Sequence, residues 1–531
     1  MGSRMGKLCV CSSGTAAREM SGRFDIGTAL VSDSHEKSLG DSICYVRPDN
    51  SQFSAAAGDD VFFRSVSGAT VSANKSSTPS ISLDDSLQQE KALDSSASFE
   101  SSGSFASTTM TTTMVPLQLQ QHPKSPLDDR VVNDESVVEK GYGYEPANKK
   151  ELLTEKKRPI FKNNGNANTR VSCSTNLAEE LKFHGYDDDK CYLSSKGCNK
   201  NFHWAHGRAG EDRLHIVICE NHGWVYVGIY DGFNGPDATD YLLNNLFYAV
   251  YEELNKILCS QDCKKEVKVG MEKMMEGNEN AKLSECGDVL EGLSSAMRTT
   301  EEAFLKRSDE MIDENPVLAM MGSCVLVMLM KREDVYLMNV GDSRAVLATH
   351  NGNSLQLTMD HSTHVKEEVR RILREHPDDP SAVTKGRVKG HLNVTRAFGV
   401  GFLKQPKQNN AMLETFKVKY IGESPYITCC PSLHHHRLTP NDKFLLLSSD
   451  GLFQYFTNEE ALSKVEYFVG MFPDRDPAQL LIEEALNRAA NKAGMNLNEL
   501  LDIPQGERRL YHDDISIVII SLEGKIWRSL V

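Results

Sequence analysis

Apolar positions carry little pattern up to about Arg170 and become periodic after it. From Val171 the chain reads as globular. Short β-rich runs, Ile216 to Ile218 and Trp224 to Tyr230, flank His222-Gly223, a composition that predicts a hairpin turn. The period then changes: Leu242, Leu243, Leu246, Val250 and Leu254 recur at helical spacing, predicting a helix over Asp237 to Leu254. Cys259 to about Arg307 is charged and Met-rich; it reads as two helices joined by a solvated loop, a helical insertion over about 258–315 without chemistry of its own. Strands return at Ser323 to Met330, Val335 to Val340 and Ala345 to Leu347. A helix is expected from about Val365 to Arg374, then a strand through Phe444 to Ser448. Helices near Glu459 to Val465 and Pro477 to Ala493 precede a last strand, Ile515 to Ser521. Strands in hairpin order with helices between them predict an α+β fold with antiparallel sheets.

The first third is different. Residues 1–170 are rich in Ser, Thr, Gln, Asp and Asn, with a low-complexity tract from Ser101 to Thr113. Such a stretch buries too little apolar surface to offset its ordering entropy. It is expected to be a mostly disordered extension, with residues 171–531 forming the folded domain. Short apolar spots such as Val61-Phe62-Phe63 either dock on that domain or on a partner, or are incidental. The chain begins Met1-Gly2, with Cys9 and Cys11 close behind, but Gly6 stands where a myristoylation signal wants Ser or Thr. Peripheral attachment to the plasma membrane through this end and an unstructured start are both open.

The 531 residues carry a net charge of -15 and an isoelectric point near 5.6, which argues against broad nucleic-acid binding. Thirteen cysteines without zinc spacing read as free thiols of a reducing compartment, and no secretory signal is visible. An intracellular protein, nuclear or cytoplasmic, is expected, and a monomer.

One feature recurs. Val225 to Tyr230 runs into Asp231-Gly232; Val335 to Val340 into Gly341-Asp342-Ser343; Phe444 to Ser449 into Asp450-Gly451. Glu211-Asp212 and Asp513-Asp514 each stand directly before a strand. A single Asp-Gly is an ordinary turn dipeptide. Carboxylates gathered from several apolar strand ends would repel one another unless a divalent cation removed that cost, and all-oxygen donor sets suit Mg²⁺ or Mn²⁺.

The ordered series Gly210-Glu211-Asp212, Asp231-Gly232, Gly322-Ser323, Val340-Gly341-Asp342-Ser343-Arg344, Thr395-Arg396-Ala397-Phe398-Gly399, Ser449-Asp450-Gly451 and Asp513-Asp514-Ile515-Ser516 resembles the metal-dependent (PPM, type 2C) protein phosphatases. Tyr230 to Ala238, Tyr511 to Ser516 and Gly524 to Arg528 narrow the resemblance to the plant Poltergeist-like subgroup. The resemblance implies an αββα sandwich of two antiparallel sheets flanked by helices. It also implies hydrolysis of phosphoserine and phosphothreonine in proteins, with receptor-like or other kinases among the partners. Two metal ions per subunit are implied. Asp231 bridges them, the Gly232 carbonyl contacts one, Glu211 holds one through water, and Asp450 and Asp513 complete the pair. Asp342, with Asp450, matches a weaker third position. In such a site the cations lower the pKa of a bridging water and neutralise developing charge, so that water attacks phosphorus directly.

Several positions depart from the family pattern. Phe233 stands where a histidine commonly follows Asp-Gly; loss of a general acid costs about 10²–10⁴-fold when nothing replaces it. Arg208, matched to the phosphate-binding arginine, is displaced by one residue, and Gln454 and Val400 replace carboxylates. A pseudophosphatase that binds phosphorylated partners without turnover is therefore the alternative. His434-His435-His436 is read as an exposed loop rather than a ligand set, and Trp204 and Trp224 as packing residues.

Overall fold

The computed structural model describes residues 38–46, 63–74, 97–101, 106–111, 202–219, 223–268, 279–473 and 475–523. In chain order the first strands are β1 (Ser38–Val46), β2 (Ser65–Val71), β3 (Ala97–Ser101), β4 (Ala106–Thr111), β5 (Phe202–Ala209), β6 (Asp212–Cys219) and β7 (Trp224–Phe233). Helices α1 (Asp237–Lys268) and α2 (Glu279–Glu310) follow, then β8 (Gly322–Lys331), β9 (Asp334–Val340), β10 (Arg344–Thr349) and β11 (Ser354–Gln356). An irregular stretch holds α3 (Lys366–Glu375), β12 (Val383–Thr384), β13 (Arg387–Val388), β14 (Phe398–Gly399), α4 (Gly401–Lys404) and α5 (Pro406–Ala411). The chain closes with β15 (Ser432–Arg437), β16 (Asp442–Ser448), α6 (Asp450–Phe453), α7 (Asn458–Met471), α8 (Pro477–Lys492), α9 (Leu497–Asp502) and β17 (Ile515–Ser521).

Two antiparallel sheets stack. One has the order β11-β10-β16-β17-β2-β1-β4, the other β15-β9-β8-β7-β6-β5-β3. Between them lies a shared core of Ile216, Val227, Leu326, Leu337, Leu445, Leu447 and Val518 among others. The outer face of the second sheet packs on α1 and α2, through Leu242, Leu246, Leu293 and Phe304. The outer face of the first packs on α7, α8 and α9, through Leu462, Leu481, Leu486 and Leu500. The result is the expected αββα sandwich. β8 shows why its sequence is unbrokenly apolar: Leu326, Met328 and Met330 face the inner core while Val325, Val327 and Leu329 face the helices. A strand covered on both sides has no solvent face on which to alternate. The two long C-terminal helices start on side-chain caps: Thr457 forms a capping box with Glu460, and Asp476 accepts from the amides of Ala478 and Gln479 ahead of α8.

Three expectations are corrected here. The folded unit does not begin at 171: β1, β2 and β4 join the first sheet and β3 the second, and β2 sits centrally between β17 and β1. β2, Ser-Val-Ser-Gly-Ala-Thr-Val, is buried along its length although its side chains are mostly small and hydroxylated, so burial there carries no apolar pattern. Its Ser67 Oγ donates to Asp476 at 2.5 Å, and a Cβ at Gly68 would stand 3.2 Å from Ile43, so the small residues match a tight space. Residues 114–199, like Gly2, Cys9 and Cys11, lie outside the described residues. Secondly, α2 is no insertion: Val289, Leu293, Ala296, Met297 and Phe304 are buried on the sheet, and Glu301 bonds the Gly399 amide and Lys404. Thirdly, His434 to His436 are not in a loop but in β15, the edge strand paired with β9. Among the described residues no helix is long and apolar enough to cross a membrane.

Candidate metal centre

The acidic residues sit where the antiparallel strands end. β7 carries Asp231 opposite Cys324 of β8. The turn from β9 to β10 brings Asp342 beside them. Gly341 there has φ 109°, and a Cβ on it would lie 2.4 Å from Cys324 Sγ, so only glycine fits. Acceptor atoms of Asp231 and Asp342 and the Cys324 sulfur lie within 4.8 Å of one another. β16 delivers Asp450, whose backbone amide donates to Asp231 Oδ2 at 3.5 Å. Gln454, one turn on, donates to Asp513 Oδ2 at 3.3 Å and also bonds Asp450. Asp513 is further paired with Arg509.

Glu211, in the turn between β5 and β6, reaches the same group through its backbone. Its carbonyl lies where a Cβ on Gly232 would come within 2.4 Å, and accepts from Thr239 Oγ1 at 2.7 Å. Its carboxylate accepts from the Gly235 amide at 2.5 Å and from Asn74 Nδ2 at 3.1 Å. Asp514 serves as a latch: its carboxylate accepts from the amides of Ala73 (2.7 Å), Asn74 (3.0 Å) and Glu211 (2.8 Å) and from Asn74 Nδ2 (3.2 Å). Buried Asp212 accepts from Ser516 Oγ at 2.9 Å.

Electrostatics bind these groups into one set. Burial, then Asp212, Asp450 and Asp342, push the Asp231 carboxyl well above the usual range. Burial and Asp450 raise Asp342 to about 7, and burial and Asp514 raise Glu211 to about 7. Asp212 is raised by burial, Asp514 and Asp450. Asp450 is raised by burial, opposed by Arg509, Gln454 and Arg344. Carboxyls that raise one another in this way are short of positive charge, which a divalent cation supplies. The donors are oxygens, and burial and the neighbouring aspartates hold the Cys324 thiol protonated, so it donates to Asp342 at 3.4 Å. A hard cation fits this set, and Mg²⁺ or Mn²⁺ are the ions with that preference.

Arg208 lies in β5 between partners Ser98 and Arg213. It makes no ion pair among the described residues, and its buried Nε has no hydrogen-bond partner. Phe233 is half-buried against the residues around Val400 and Phe402. Behind the centre, Arg344 grips Asp360 with its Nη2 at 2.6 Å, and Glu368 collects Arg396 and Arg371. Sequence reasoning missed Asn74, Arg509 and the latch role of Asp514. Asp514 was visible in the Asp513-Asp514 pair, whereas Asn74 lies in a Ser/Thr-rich tract with no local signal.

The protein phosphatase 2C family model matches residues 223–494, more than half of the chain. The chain is 41% identical to "Probable protein phosphatase 2C 4" of Arabidopsis thaliana and 42% identical to "Probable protein phosphatase 2C 23" of the same plant. It is 40% identical to "Protein phosphatase 2C 35" of Oryza sativa subsp. japonica, and in all three cases 100% of each chain is covered. The chain belongs to the protein phosphatase 2C family. It is an enzyme of the type 2C phosphatase class, a family whose members depend on Mg²⁺ or Mn²⁺. Nothing in the comparisons supports the pseudophosphatase alternative. The family match spans Asp231, Asp342 and Asp450 but stops short of Glu211, Asp513 and Asn74. The whole-chain relatives align across the segments that supply β1 to β4 as well.

Proposed function

We propose that this type 2C phosphatase hydrolyses phosphoserine and phosphothreonine in proteins at the Asp231 cluster, with two Mg²⁺ or Mn²⁺ ions and a weaker third. The observation that carries the reading is the meeting of Asp231, Asp342 and Asp450, from three separate strand ends, in one buried group deficient in positive charge. Bound there, the cations would ionise a water and neutralise charge on the transferred phosphoryl group. Asp231 takes the central place, held by the Asp450 amide; the Gly232 carbonyl, Glu211, Asp450 and Asp513 surround it, and Asp342 with Asp450 forms the weaker position. Asn74 and the Gly235 amide orient the Glu211 carboxylate. Arg208, three residues before Glu211 and without an ion-pair partner among the described residues, is the guanidinium that would meet a substrate phosphate. Phe233 cannot transfer a proton, so a water or a nearby histidine would have to protonate the leaving alkoxide. Following the resemblance to the Poltergeist-like subgroup, the substrates are phosphorylated signalling proteins, receptor-like or other kinases among them, inside the cell.

The test is turnover of a phosphothreonine peptide by the full chain in Mn²⁺. Asp231→Asn and Asp450→Asn are expected to lower kcat about 10³-fold, the several kcal/mol that metal activation supplies at 1.36 kcal/mol per decade. Turnover that survives both substitutions, or survives EDTA, would defeat the proposal.

A further inference from the structure

A second cluster of metal-ligating side chains stands at the far end of β9 from the acidic centre. Asp334 opens that strand and Asp342 lies beyond its last residue, so the two groups are separated by roughly 20 Å of strand. Around Asp334, β15 contributes His435 and α2 contributes Cys286. His435 Nε2 lies 2.9 Å from Asp334 Oδ1 and 3.7 Å from Cys286 Sγ, and the three ligand atoms fall within 4.8 Å of one another. The His435 ring stacks on Tyr336, its cross-strand neighbour, with centroids 4.9 Å apart, which fixes its plane. Asp334 and His435 are 18% and 26% exposed, so an ion can enter from solvent without unfolding the site.

A catalytic Cys-His-Asp relay is excluded by the geometry. In a relay the acid and the thiol meet different ring nitrogens. Here both meet Nε2. A thiol, an imidazole nitrogen and a carboxylate oxygen gathered within 4.8 Å of one another instead suit a shared ion. Zn–S near 2.3 Å and Zn–N or Zn–O near 2.0–2.2 Å at tetrahedral angles set ligand atoms about 3.3–3.7 Å apart. The His435–Cys286 separation of 3.7 Å stands at the top of that range, and the 2.9 Å hydrogen bond between His435 and Asp334 opens by about 0.4 Å to admit the ion. The mixed soft and hard donor set favours Zn²⁺ over the Mg²⁺ or Mn²⁺ of the acidic centre.

We propose that Cys286, Asp334 and His435 form a Zn²⁺ site, distinct from the catalytic metals, with water in the fourth position. On binding, the Cys286 thiol loses its proton to solvent, and His435 ligates through Nε2 with its proton on Nδ1. The ion ties α2 to β9 and to the edge strand β15, so it stabilises the helical layer without entering the phosphatase reaction. This assigns the middle residue of the His434-His435-His436 run to a site and leaves His436 to its bond with Asp442.

The experiment uses the full chain with one equivalent of Co²⁺ as the probe, followed by Zn²⁺ competition. Thiolate ligation gives an intense near-ultraviolet charge-transfer band. That band is expected in the wild type and in Cys324→Ser, and is expected to vanish in Cys286→Ser. His435→Gln and Asp334→Asn are expected to weaken Zn²⁺ binding at least tenfold while Mn²⁺-dependent turnover stays within twofold of wild type. A band retained in Cys286→Ser, or lost only in Cys324→Ser, overturns the site. Zinc-edge X-ray absorption on the wild type with one equivalent of Zn²⁺ is independent of any variant's folding. One sulfur at about 2.3 Å supports the proposal, and an all-N/O shell refutes it.

Discussion

Deleting residues 1–113 removes β1 to β4 and should abolish the fold, although composition alone marks that region as dispensable. The loss includes β2, central in its sheet between β17 and β1. It also includes Ile43, Tyr45, Phe63, Val66 and Val71, all at most 6% exposed. Burying side chains of this size stabilises by about 1.5–3 kcal/mol each, so together they contribute on the order of 10 kcal/mol. That matches the whole stability of a typical domain, about 5–15 kcal/mol. The deletion also strips Ala73 and Asn74 from Asp514 and exposes the edge of β17, a template for aggregation. The assay is thermal unfolding by circular dichroism with Mn²⁺-dependent turnover on the same samples. No cooperative transition and no activity are expected from the truncated chain, with recovery when residues 38–113 are supplied in trans. A truncated chain that melts within a few degrees of the full one and turns over at the same rate would refute the argument.

Four further outcomes are expected. Asn74→Ala removes two hydrogen bonds to carboxylates, of which only that to Glu211 orients a proposed metal ligand; losing that one bond, about 1.5–3 kcal/mol, should weaken Mn²⁺ binding at least tenfold by calorimetry. Unchanged Mn²⁺ affinity with a lowered Tm would leave Asn74 only a packing role. Arg208→Ala should raise KM for a phosphopeptide about tenfold with kcat little changed; a fall in kcat alone would remove it from phosphate binding. Gly210→Ala should lower Tm, because a Cβ there lies 2.3 Å from the Asp514 carboxylate at φ 57°. Burial alone would raise the Glu368 carboxyl, but hydrogen bonds from Arg396, Arg371 and Thr395 hold it down to about 2. A depressed carboxyl stabilises the fold above its unfolded value near 4.5 and ceases to as pH falls toward 2. The Tm difference between wild type and Glu368→Gln should therefore be full at pH 7 and shrink on acidification below about 4.5; a constant difference would contradict the assignment.

Local patterning was enough for the elements that carry strong periodicity. β17 was legible over Ile515–Ser521, and α8 to within a residue, because each presents a long apolar face to a core. The same reasoning failed for β2 and β15. The residues of β2 are small because α8 and the opposing strand approach closely, and a window on sequence sees Ser, Thr and Gly rather than the space they fit. The histidines of β15 looked like a solvated loop because an edge strand shows half its side chains to water.

Which strands end in aspartate can be read from local residues, since a glycine or a turn beside an acidic residue is written locally and repeats along the chain. Folding in three dimensions is what makes these ends meet, carries Asn74 across some 440 residues to brace Asp514, and sets Cys286 against His435. The physical reason is that coordination and electrostatic coupling act over a few ångströms of space, whereas the residues involved are set hundreds of positions apart. Their juxtaposition follows from the packing of two whole sheets, which no local window contains.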